Sequence, residues 1–281
     1  QIRSEHIPSV VFDLENLYSL NLKSTKINNI PENNLFNLHE LQLDYNFFDK
    51  LEDQTFKTLN NLSILTMTHN FLKEIPEELN YLVNLEVLDL GYNLIESLPN
   101  KIDLPNLKEL YLNNNLLQSI SIGLINLKLL EKLNLEKNQI KDLLDCIYDL
   151  TNLNYLDLSN NKISFISTKL VQLKNIKLAH SYDKFNKVGL WLIGNPLQIP
   201  VKEIWQTTKI TKIYDYLINY EQRNLNYLFY SKLIFLGQSG IGKSQLINNL
   251  FDVKFEVHST HQTGKLSYNS FFSLLKTLNN Q

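Results

Sequence analysis

Leucines recur at a fixed spacing through the first two-thirds of the chain. Six segments follow the pattern Leu-x-x-Leu-x-Leu-x-x-Asn, with Met67 in place of one leucine, and they span residues 38–46, 62–70, 85–93, 107–115, 130–138 and 153–161. Their closing asparagines are 24, 23, 22, 23 and 23 residues apart. An earlier copy ends in Thr25 where the others have Asn, and a later, degenerate copy carries Asn195. A constant period of this length predicts a repeat protein.

Each repeat is predicted to hold a short strand, a turn and a return segment. Alternate side chains of a strand point to opposite faces, so the leucines of Leu-x-Leu point inward. The asparagine amide can satisfy backbone groups in the bend that follows. Pro76 and Pro99 then favour a short helical or extended return. Because one repeat cannot bury its apolar face alone, neighbouring repeats are expected to stack into a solenoid.

These segments resemble leucine-rich repeats over residues 10–200. The resemblance implies an α/β solenoid of about eight repeats, in which the strand residues between the leucines face the concave side. Most of those positions are polar and typical of a solvated surface. Ile64, Val87 and Tyr111 are apolar exceptions near the middle of the sheet. They are either scattered surface residues of the ordinary kind or a small apolar patch that contacts a protein partner.

The last repeat is longer than the others. Asn161 and Asn195 are 34 residues apart, which exceeds the period by about eleven. The extra residues are predicted to form a loop at 179–188, inserted into the final repeat. Insertions of this kind usually project from the stack without disturbing it.

An amphipathic helix is predicted after the repeats, over residues 201–222 of a capping and linker segment at 201–227. Its N-cap is expected at Thr208. The helix would cover the open end of the solenoid with the apolar positions that recur at i, i+3, i+4 and i+7, namely Ile210, Ile213, Tyr214, Leu217 and Tyr220.

Three of the eight glycines of the chain fall within six positions near its end. An apolar run at 228–237 predicts a buried strand, and residues 243–251 predict a helix. The loop between them fits the pattern G-x-x-x-x-G-K-[ST], which predicts a phosphate-binding P-loop. The alternative is a glycine-rich turn without a ligand. The predicted nucleotide-binding residues are Gly237, Gln238, Ser239, Gly240, Ile241, Gly242, Lys243, Ser244 and Gln245.

The residue types of this loop suit phosphate binding. Gly237 and Gly242 let the backbone approach a phosphate without a side chain in the way. The N–H groups of the loop and the helix N-terminus would hold phosphate oxygens. Lys243 would reach the β- and γ-phosphates, and the Ser244 hydroxyl would bind Mg²⁺. A mobile loop after the helix contains two further candidates for sensing Mg²⁺ and the γ-phosphate, Thr260 and Thr263.

Composition excludes several other classes of protein. A net charge of −2 argues against a nucleic-acid partner, which a clustered basic excess would indicate. The single cysteine, Cys146, favours a reducing compartment, and we expect the protein to be cytoplasmic. No apolar run approaches the roughly 18 residues needed to span a bilayer. Because the first residue is Gln and not Met, the chain is expected to be part of a longer protein.

The order of the segments resembles the ROCO family: leucine-rich repeats with "GLWLIGNPLQIP" at their boundary, followed by "KLIFLGQSGIGKSQLINNL". Proteins of this family carry the repeats, then a Ras-like Roc GTPase domain, then a COR dimerisation module and sometimes a kinase. The resemblance implies that residues 228–281 are the incomplete N-terminal part of a Roc domain. It also implies GTP or GDP with Mg²⁺ as ligands, and a dimer formed through modules beyond this chain. The preference for guanine comes from the resemblance alone.

Three functions follow as hypotheses. The first is an intracellular signalling GTPase whose repeats recruit a protein partner, with hydrolysis expected of the whole protein and not of this chain, which lacks a complete site. The second is an ATP-dependent switch of the immune-receptor type, although there the nucleotide domain normally precedes the repeats. The third is a leucine-rich-repeat scaffold whose P-loop does not hydrolyse nucleotide.

Overall fold

The structure, a computed structural model, describes residues 8–51, 55–177, 188–205 and 210–230, with side chains as far as residue 222. Contacts divide the chain into two units, Gln1–Gln222 and Arg223–Gln281. The first unit contains the repeats, and nearly all of the second lies outside the described residues. All but the last residue of the predicted insertion at 179–188 also lie outside them.

Eight short strands form one parallel sheet in chain order. Each strand pairs in register with the next, so that the central leucines of neighbouring strands stand side by side. One strand per repeat is the arrangement that a solenoid produces, and the predicted solenoid of about eight repeats is confirmed. The strands are β1 (Ser19–Asn21), β2 (Glu40–Gln42), β3 (Ile64–Thr66), β4 (Val87–Asp89), β5 (Glu109–Tyr111), β6 (Lys132–Asn134), β7 (Tyr155–Asp157) and β8 (Gly189–Trp191).

The leucines form one continuous core. The central leucine of every strand is buried, and Leu20 of the first strand is the most exposed of them at 8%. Burying such a side chain stabilises the fold by about 1.5–3 kcal/mol. Because each repeat adds its leucines to the same cluster, the core lengthens repeat by repeat.

The return segments are mostly short 3-10 helices. The segment after Pro76 is such a helix, as predicted, whereas the segment after Pro99 contains no helix. Two of the helices begin with a serine cap: the Ser121 hydroxyl accepts from the Gly123 N–H at 3.1 Å, and Ser167 accepts from the Lys169 N–H at 3.2 Å. The 3-10 helices span Ser9–Asp13, Glu77–Tyr81, Ile122–Asn126, Asp145–Asp149 and Thr168–Gln172.

The closing asparagines form a buried ladder along the repeats. Asn115 shows the pattern: its Nδ2 donates to Leu112 O at 3.1 Å and to Leu90 O of the preceding repeat at 3.0 Å. Its Oδ1 accepts from the Ile95 N–H at 3.0 Å. Thr25 lacks the amide and keeps part of this bonding, because its hydroxyl donates to Leu22 O at 2.6 Å. The equivalent bonds are made by Asn46, Asn70, Asn93, Asn138, Asn161 and Asn195.

The residue before each ladder asparagine has a left-handed backbone. Six such residues without the freedom of glycine have φ between 54° and 56°. This conformation is unfavourable for residues with a side chain and persists only where the surroundings enforce it. The ladder bonds on the next residue supply that constraint. The six residues are Tyr45, His69, Tyr92, Asn114, Lys137 and Asn160.

Two helices follow the repeats, α1 (Lys202–Trp205) and α2 (Ile210–Tyr230). Ile213 and Leu217 of α2 are fully buried within the core of the repeats, and the Tyr214 hydroxyl donates to Leu173 O at 3.0 Å. Four of the five residues predicted for the apolar face of this helix therefore belong to the core or pack against it, namely Ile210, Ile213, Tyr214 and Leu217. The fifth, Tyr220, stacks on Tyr216. The predicted N-cap at Thr208 lies outside the described residues.

The end of α2 differs from the prediction. The helix continues to Tyr230, so residues 228–230 are helical, and the prediction that a strand begins at 228 is wrong for those three residues. The sequence from 223 to 230 has no glycine or proline that would end a helix. An apolar run of this length fits a strand or a helix equally well by periodicity alone.

Candidate protein-binding surface

The strands place two side chains of every repeat on the open face of the sheet. In each strand the central leucine points into the core and the first and third residues point the other way, as the burial of β2, β3 and β4 shows. The residue two positions after each strand continues the same alternation. We call the first and third strand residues and this following residue the strand face.

The predicted apolar patch lies on the strand face. Ile64 and Val87 are direct partners across β3 and β4, and both are half-buried. Tyr111 of β5 pairs with Asp89 of β4, and Val87 packs against the aromatic cluster that contains Tyr111. The structure therefore brings the three residues together, although Tyr111 is only 5% exposed. Their role in binding a partner stays a prediction.

A cluster of aromatic side chains continues the patch towards the last repeat. Tyr111, Tyr155 and Trp191 pack together on the open side of the sheet and are 5%, 6% and 3% exposed. Trp191 is further fixed because its Nε1–H donates to Val188 O at 3.2 Å. Sequence reasoning missed Tyr155 and Trp191 as members of the site. Counting along the repeat period could have identified them, because both residues fall at strand-face positions of their repeats.

Acidic side chains are held by the tyrosine hydroxyls. The Tyr111 hydroxyl donates to Glu109 Oε2 at 2.6 Å, and the Tyr155 hydroxyl donates to Asp157 Oδ2 at 3.1 Å. The Ser159 N–H and hydroxyl both donate to Asp157 Oδ1, at 2.9 and 2.5 Å. These bonds fix the positions of two carboxylates beside the aromatic cluster.

Burial changes the titration of these groups. Desolvation raises the pKa of Asp157 above its usual range, and the charge of Glu136 adds to the effect, against the hydrogen bonds from Ser159. Burial also raises the pKa values of Tyr111 and Tyr155, and a neighbouring carboxylate adds to each. Both hydroxyls therefore remain protonated hydrogen-bond donors at neutral pH.

The strand face carries an excess of negative charge. It has two lysines, Lys23 and Lys132, and each lies near an acidic residue of the same face: Lys132 Nζ is 2.8 Å from Glu109 and Lys23 Nζ is 4.0 Å from Asp44. The net charge of this face is −4, compared with −2 for the whole chain. Its six acidic residues are Glu40, Asp44, Asp89, Glu109, Glu136 and Asp157.

A second exposed apolar strip lies where the turns follow β2, β3 and β4. The His69 ring is stacked between the rings of Tyr45 and Tyr92, with centroid distances of 4.1 Å on both sides. Phe47 and Phe71 stack beside them at 6.1 Å and are about half exposed. Sequence reasoning missed this strip, although its members stand just before and just after the ladder asparagines.

The predicted nucleotide site lies outside the described residues. This applies to every residue of the loop at 237–245 and to Thr260 and Thr263, whose roles stay predictions. Among the residues that the structure does describe, no group of three or more His, Cys, Asp or Glu side chains is arranged to hold a metal ion. No helix in that part of the chain combines the length and apolar character needed to cross a membrane.

Comparison with known protein families identifies the repeats. Residues 36–95 and 152–173 match models described as leucine-rich repeat, and residues 83–128 match a model of two leucine-rich-repeat copies. The predicted leucine-rich repeats are therefore confirmed. These matches lie within the repeats and leave the predicted Roc domain untested.

Known proteins resemble the chain over the same region. A probable serine/threonine-protein kinase from Dictyostelium discoideum is 38% identical over 74 residues, which are 26% of this chain and 6% of that protein. Osteomodulin from Rattus norvegicus is 34% identical over 119 residues, which are 41% of this chain and 27% of that protein. The solved structure of a Leptospira interrogans LRR protein has a TM-score of 0.54 and 29% identity, and the match covers 70% of this chain and 54% of that one. The chain thus spans well under two thirds of each relative.

Proposed function

We propose that the repeats recruit a protein partner through the strand face, within an intracellular signalling protein that is switched by GTP. The observation that carries the first part is the aromatic cluster of Tyr111, Tyr155 and Trp191, which is bordered by carboxylates. Because these three rings are almost fully buried, they form a rigid base for the face, and the half-buried Ile64 and Val87 beside them are the apolar residues that a partner can reach. The stacked repeats provide an extended surface on which a partner can lie.

The switch is proposed from the sequence of the second unit. The P-loop pattern at 237–244 supports nucleotide binding, with Lys243 on the phosphates and Ser244 on Mg²⁺. The resemblance to the ROCO family supports GTP over ATP and dimerisation through further modules, and the single cysteine, Cys146, supports a cytoplasmic location. An ATP-dependent switch, and a scaffold whose P-loop does not hydrolyse nucleotide, are the alternatives that the experiments below separate.

The recruiting function is tested by changing one valine on the strand face. Val87→Arg places a long charged side chain beside the aromatic cluster, and Val83→Arg makes the same change at a 45% exposed position in the preceding return segment. Proteins captured by the wild type and by Val83→Arg, but lost with Val87→Arg, would identify a partner of this face. Capture that is equal for all three proteins would contradict the proposal.

The switch is tested by nucleotide binding to the full-length protein. Labelled GTP and ATP are compared for the wild type and for Lys243→Ala. Tight binding of GTP that is lost in the variant, with ATP ignored, supports the proposed switch. A preference for ATP favours the immune-receptor type, and the absence of binding to either favours a scaffold.

A further inference from the structure

We propose that a strip of exposed aromatic side chains on the turns after β2, β3 and β4 binds a proline-rich segment of a partner protein. This surface, here called the aromatic strip, is separate from the strand face, so the proposal goes beyond the recruiting function. Its sequence positions, its size and the hydroxyl groups of its tyrosines favour this ligand. The strip consists of Tyr45, Phe47, His69, Phe71 and Tyr92.

The left-handed backbone before each ladder asparagine does not call for aromatic residues. Asparagine tolerates this conformation better than most residues, whereas a bulky side chain there is an outlier. Later repeats have polar residues at this position, Asn114, Lys137 and Asn160, with φ between 54° and 56°. Aromatic residues at this position in three consecutive repeats are therefore not explained by the fold alone. They are Tyr45, His69 and Tyr92.

The position after each ladder asparagine shows the same contrast. It is occupied by Phe47 and Phe71 in two consecutive repeats, and by Gln139 and Lys162 in two later ones. The backbone N–H of each of the four donates to a carbonyl of the preceding repeat at 2.8 Å. Because the turn forms equally well with a polar residue here, its structure does not require the two phenylalanine rings.

The aromatic strip is large for a free surface and small for a dimer interface. Its four rings other than His69 are between 44% and 51% exposed. With about 150–250 Å² for each whole side chain, they present roughly 400 Å² of mostly apolar surface. Patches of this size are the largest on a typical monomer and are often functional. One side of a standard protein interface buries about 800 Å², so the strip suits a short segment of a partner better than a second copy of this chain.

Hydrogen bonding favours a segment that offers acceptors and few donors. The hydroxyls of Tyr45 and Tyr92 make no hydrogen bond within the described part of the chain, so both can donate to a ligand. A proline-rich segment presents apolar rings and solvated backbone carbonyls, and each proline lacks an N–H. Docking of such segments on aromatic side chains is a recurring mode of recognition.

Other kinds of segment match the strip less well. A helix uses its own backbone carbonyls, so it would cover the two tyrosine hydroxyls without offering them acceptors. A strand brings an N–H group with every carbonyl, and the phenylalanine rings supply no acceptor for these donors. The strip and a proline-rich segment can instead bury apolar surface together while the tyrosine hydroxyls stay hydrogen-bonded.

Fluorescence anisotropy of a labelled peptide of ten prolines, titrated with the whole chain to about 0.5 mM, tests this binding. Comparison peptides of the same length contain alternating glycine and serine, or alanine and leucine in a helical pattern. The strip variant is Phe71→Gln/Tyr92→Asn, whose new residues are those that later repeats use at the same positions. The matched control, Phe36→Gln/Tyr81→Asn, makes the same two changes outside the strip, at positions that are 44% and 46% exposed.

We expect the proline peptide to bind more tightly than either comparison peptide. The strip variant should weaken its binding at least about tenfold, and the control less than about twofold. Tyr45→Phe/Tyr92→Phe keeps the rings but removes two donors, so a loss of roughly fivefold is expected. Because the contacts are apolar, raising the salt concentration from about 0.05 to 0.5 M should change the affinity less than about twofold. Circular dichroism of each variant confirms that it is folded.

Four results would overturn the proposal: no binding of the proline peptide, equal binding of the glycine–serine peptide, tighter binding of the helical peptide, or equal losses in the strip variant and the control. A strip variant that melts at a lower temperature but binds the peptide as the wild type does would show that the stacked rings serve only stability. Sedimentation that detects dimers of the wild type, but not of the strip variant, would assign the strip to contacts between copies of this chain.

Discussion

Replacing Asn115 with alanine tests whether the asparagine ladder holds the repeats together. The substitution removes an amide that donates to Leu90 O and Leu112 O, makes a longer contact of 3.5 Å to Asn113 O and accepts from the Ile95 N–H. The loss differs among these partner groups. Leu90 O also accepts from Asn93, and Leu112 O also accepts from Asn138, so each carbonyl keeps one donor.

The expected loss follows from that difference. Each carbonyl loses one of two bonds, which costs about 0.5–1 kcal/mol. The Ile95 N–H loses its acceptor within a buried ladder, which costs about 1–3 kcal/mol. The sum predicts that Asn115→Ala lowers the free energy of unfolding by roughly 2–5 kcal/mol, a large fraction of the 5–15 kcal/mol typical of a folded domain.

Urea unfolding followed by circular dichroism measures this loss. The matched control is Asn106→Ala, which removes an exposed asparagine whose Nδ2 donates to Val83 O at 2.9 Å. Water can replace that single bond, so the control should cost less than about 1 kcal/mol. A loss in Asn115→Ala no larger than in Asn106→Ala would refute the assignment of the ladder as a main stabilising element.

Three further predictions concern other parts of the fold. Gly123→Ala should destabilise the protein by about 1–3 kcal/mol, because its Cβ would lie 2.6 Å from Pro99 O; an unchanged melting temperature would contradict this. Leu217→Ala should cost about 2–5 kcal/mol by leaving a cavity under α2, whereas the exposed Ile218→Ala should change little in the same melting experiment; equal effects would show that the helix does not pack as described. Because burial raises the pKa of Asp157 in the folded state above its ordinary value of 3.8, its contribution to stability is present below pH 3.8 and is lost as the pH rises through the raised pKa. Between pH 3.8 and the raised pKa, the unfolding free energy of the wild type should therefore decrease as the pH rises, and Asp157→Asn should remove this part of the decrease. Urea titrations at several pH values measure it, and a pH dependence identical to that of the wild type would contradict the prediction.

The repeats were predictable because leucine and asparagine recur in the sequence at a nearly constant spacing. Each Leu-x-Leu places one strand, and each asparagine places one turn, so the positions of the strands and of the ladder followed from counting. Thr25 illustrates how far this goes: its place in the pattern identified it as a ladder position, and its hydroxyl makes one of the ladder bonds.

The aromatic features were harder to predict because they depend on neighbours across repeats. Trp191 belongs to a repeat whose strand begins 34 residues after the start of β7, well beyond the regular spacing, although β8 still pairs in register with β7. The stack of Tyr45, His69 and Tyr92 requires left-handed backbones that these residue types do not favour by themselves. Such conformations are imposed by the ladder, which local sequence preferences do not reveal.

The end of α2 and the nucleotide loop show two other limits. The apolar run that begins near residue 228 fits both a strand and a helix, and the choice between them depends on packing and not on local pattern. The prediction at 237–244 relies on a motif and its flanking elements, so binding experiments decide it.

The parallel register also determines how this chain can change in length during evolution. The first residues of successive strands are separated by as few as 21 positions, between β1 and β2, and as many as 34, between β7 and β8, yet every strand still pairs residue for residue with the next. After duplication or loss of one complete repeat, the repeats that become neighbours would still stack leucine on leucine and still make the asparagine bonds. Deletion of one residue within a strand would instead turn its leucine towards the strand face. Natural length variants should therefore gain or lose whole repeats, with single-residue changes confined to the return segments.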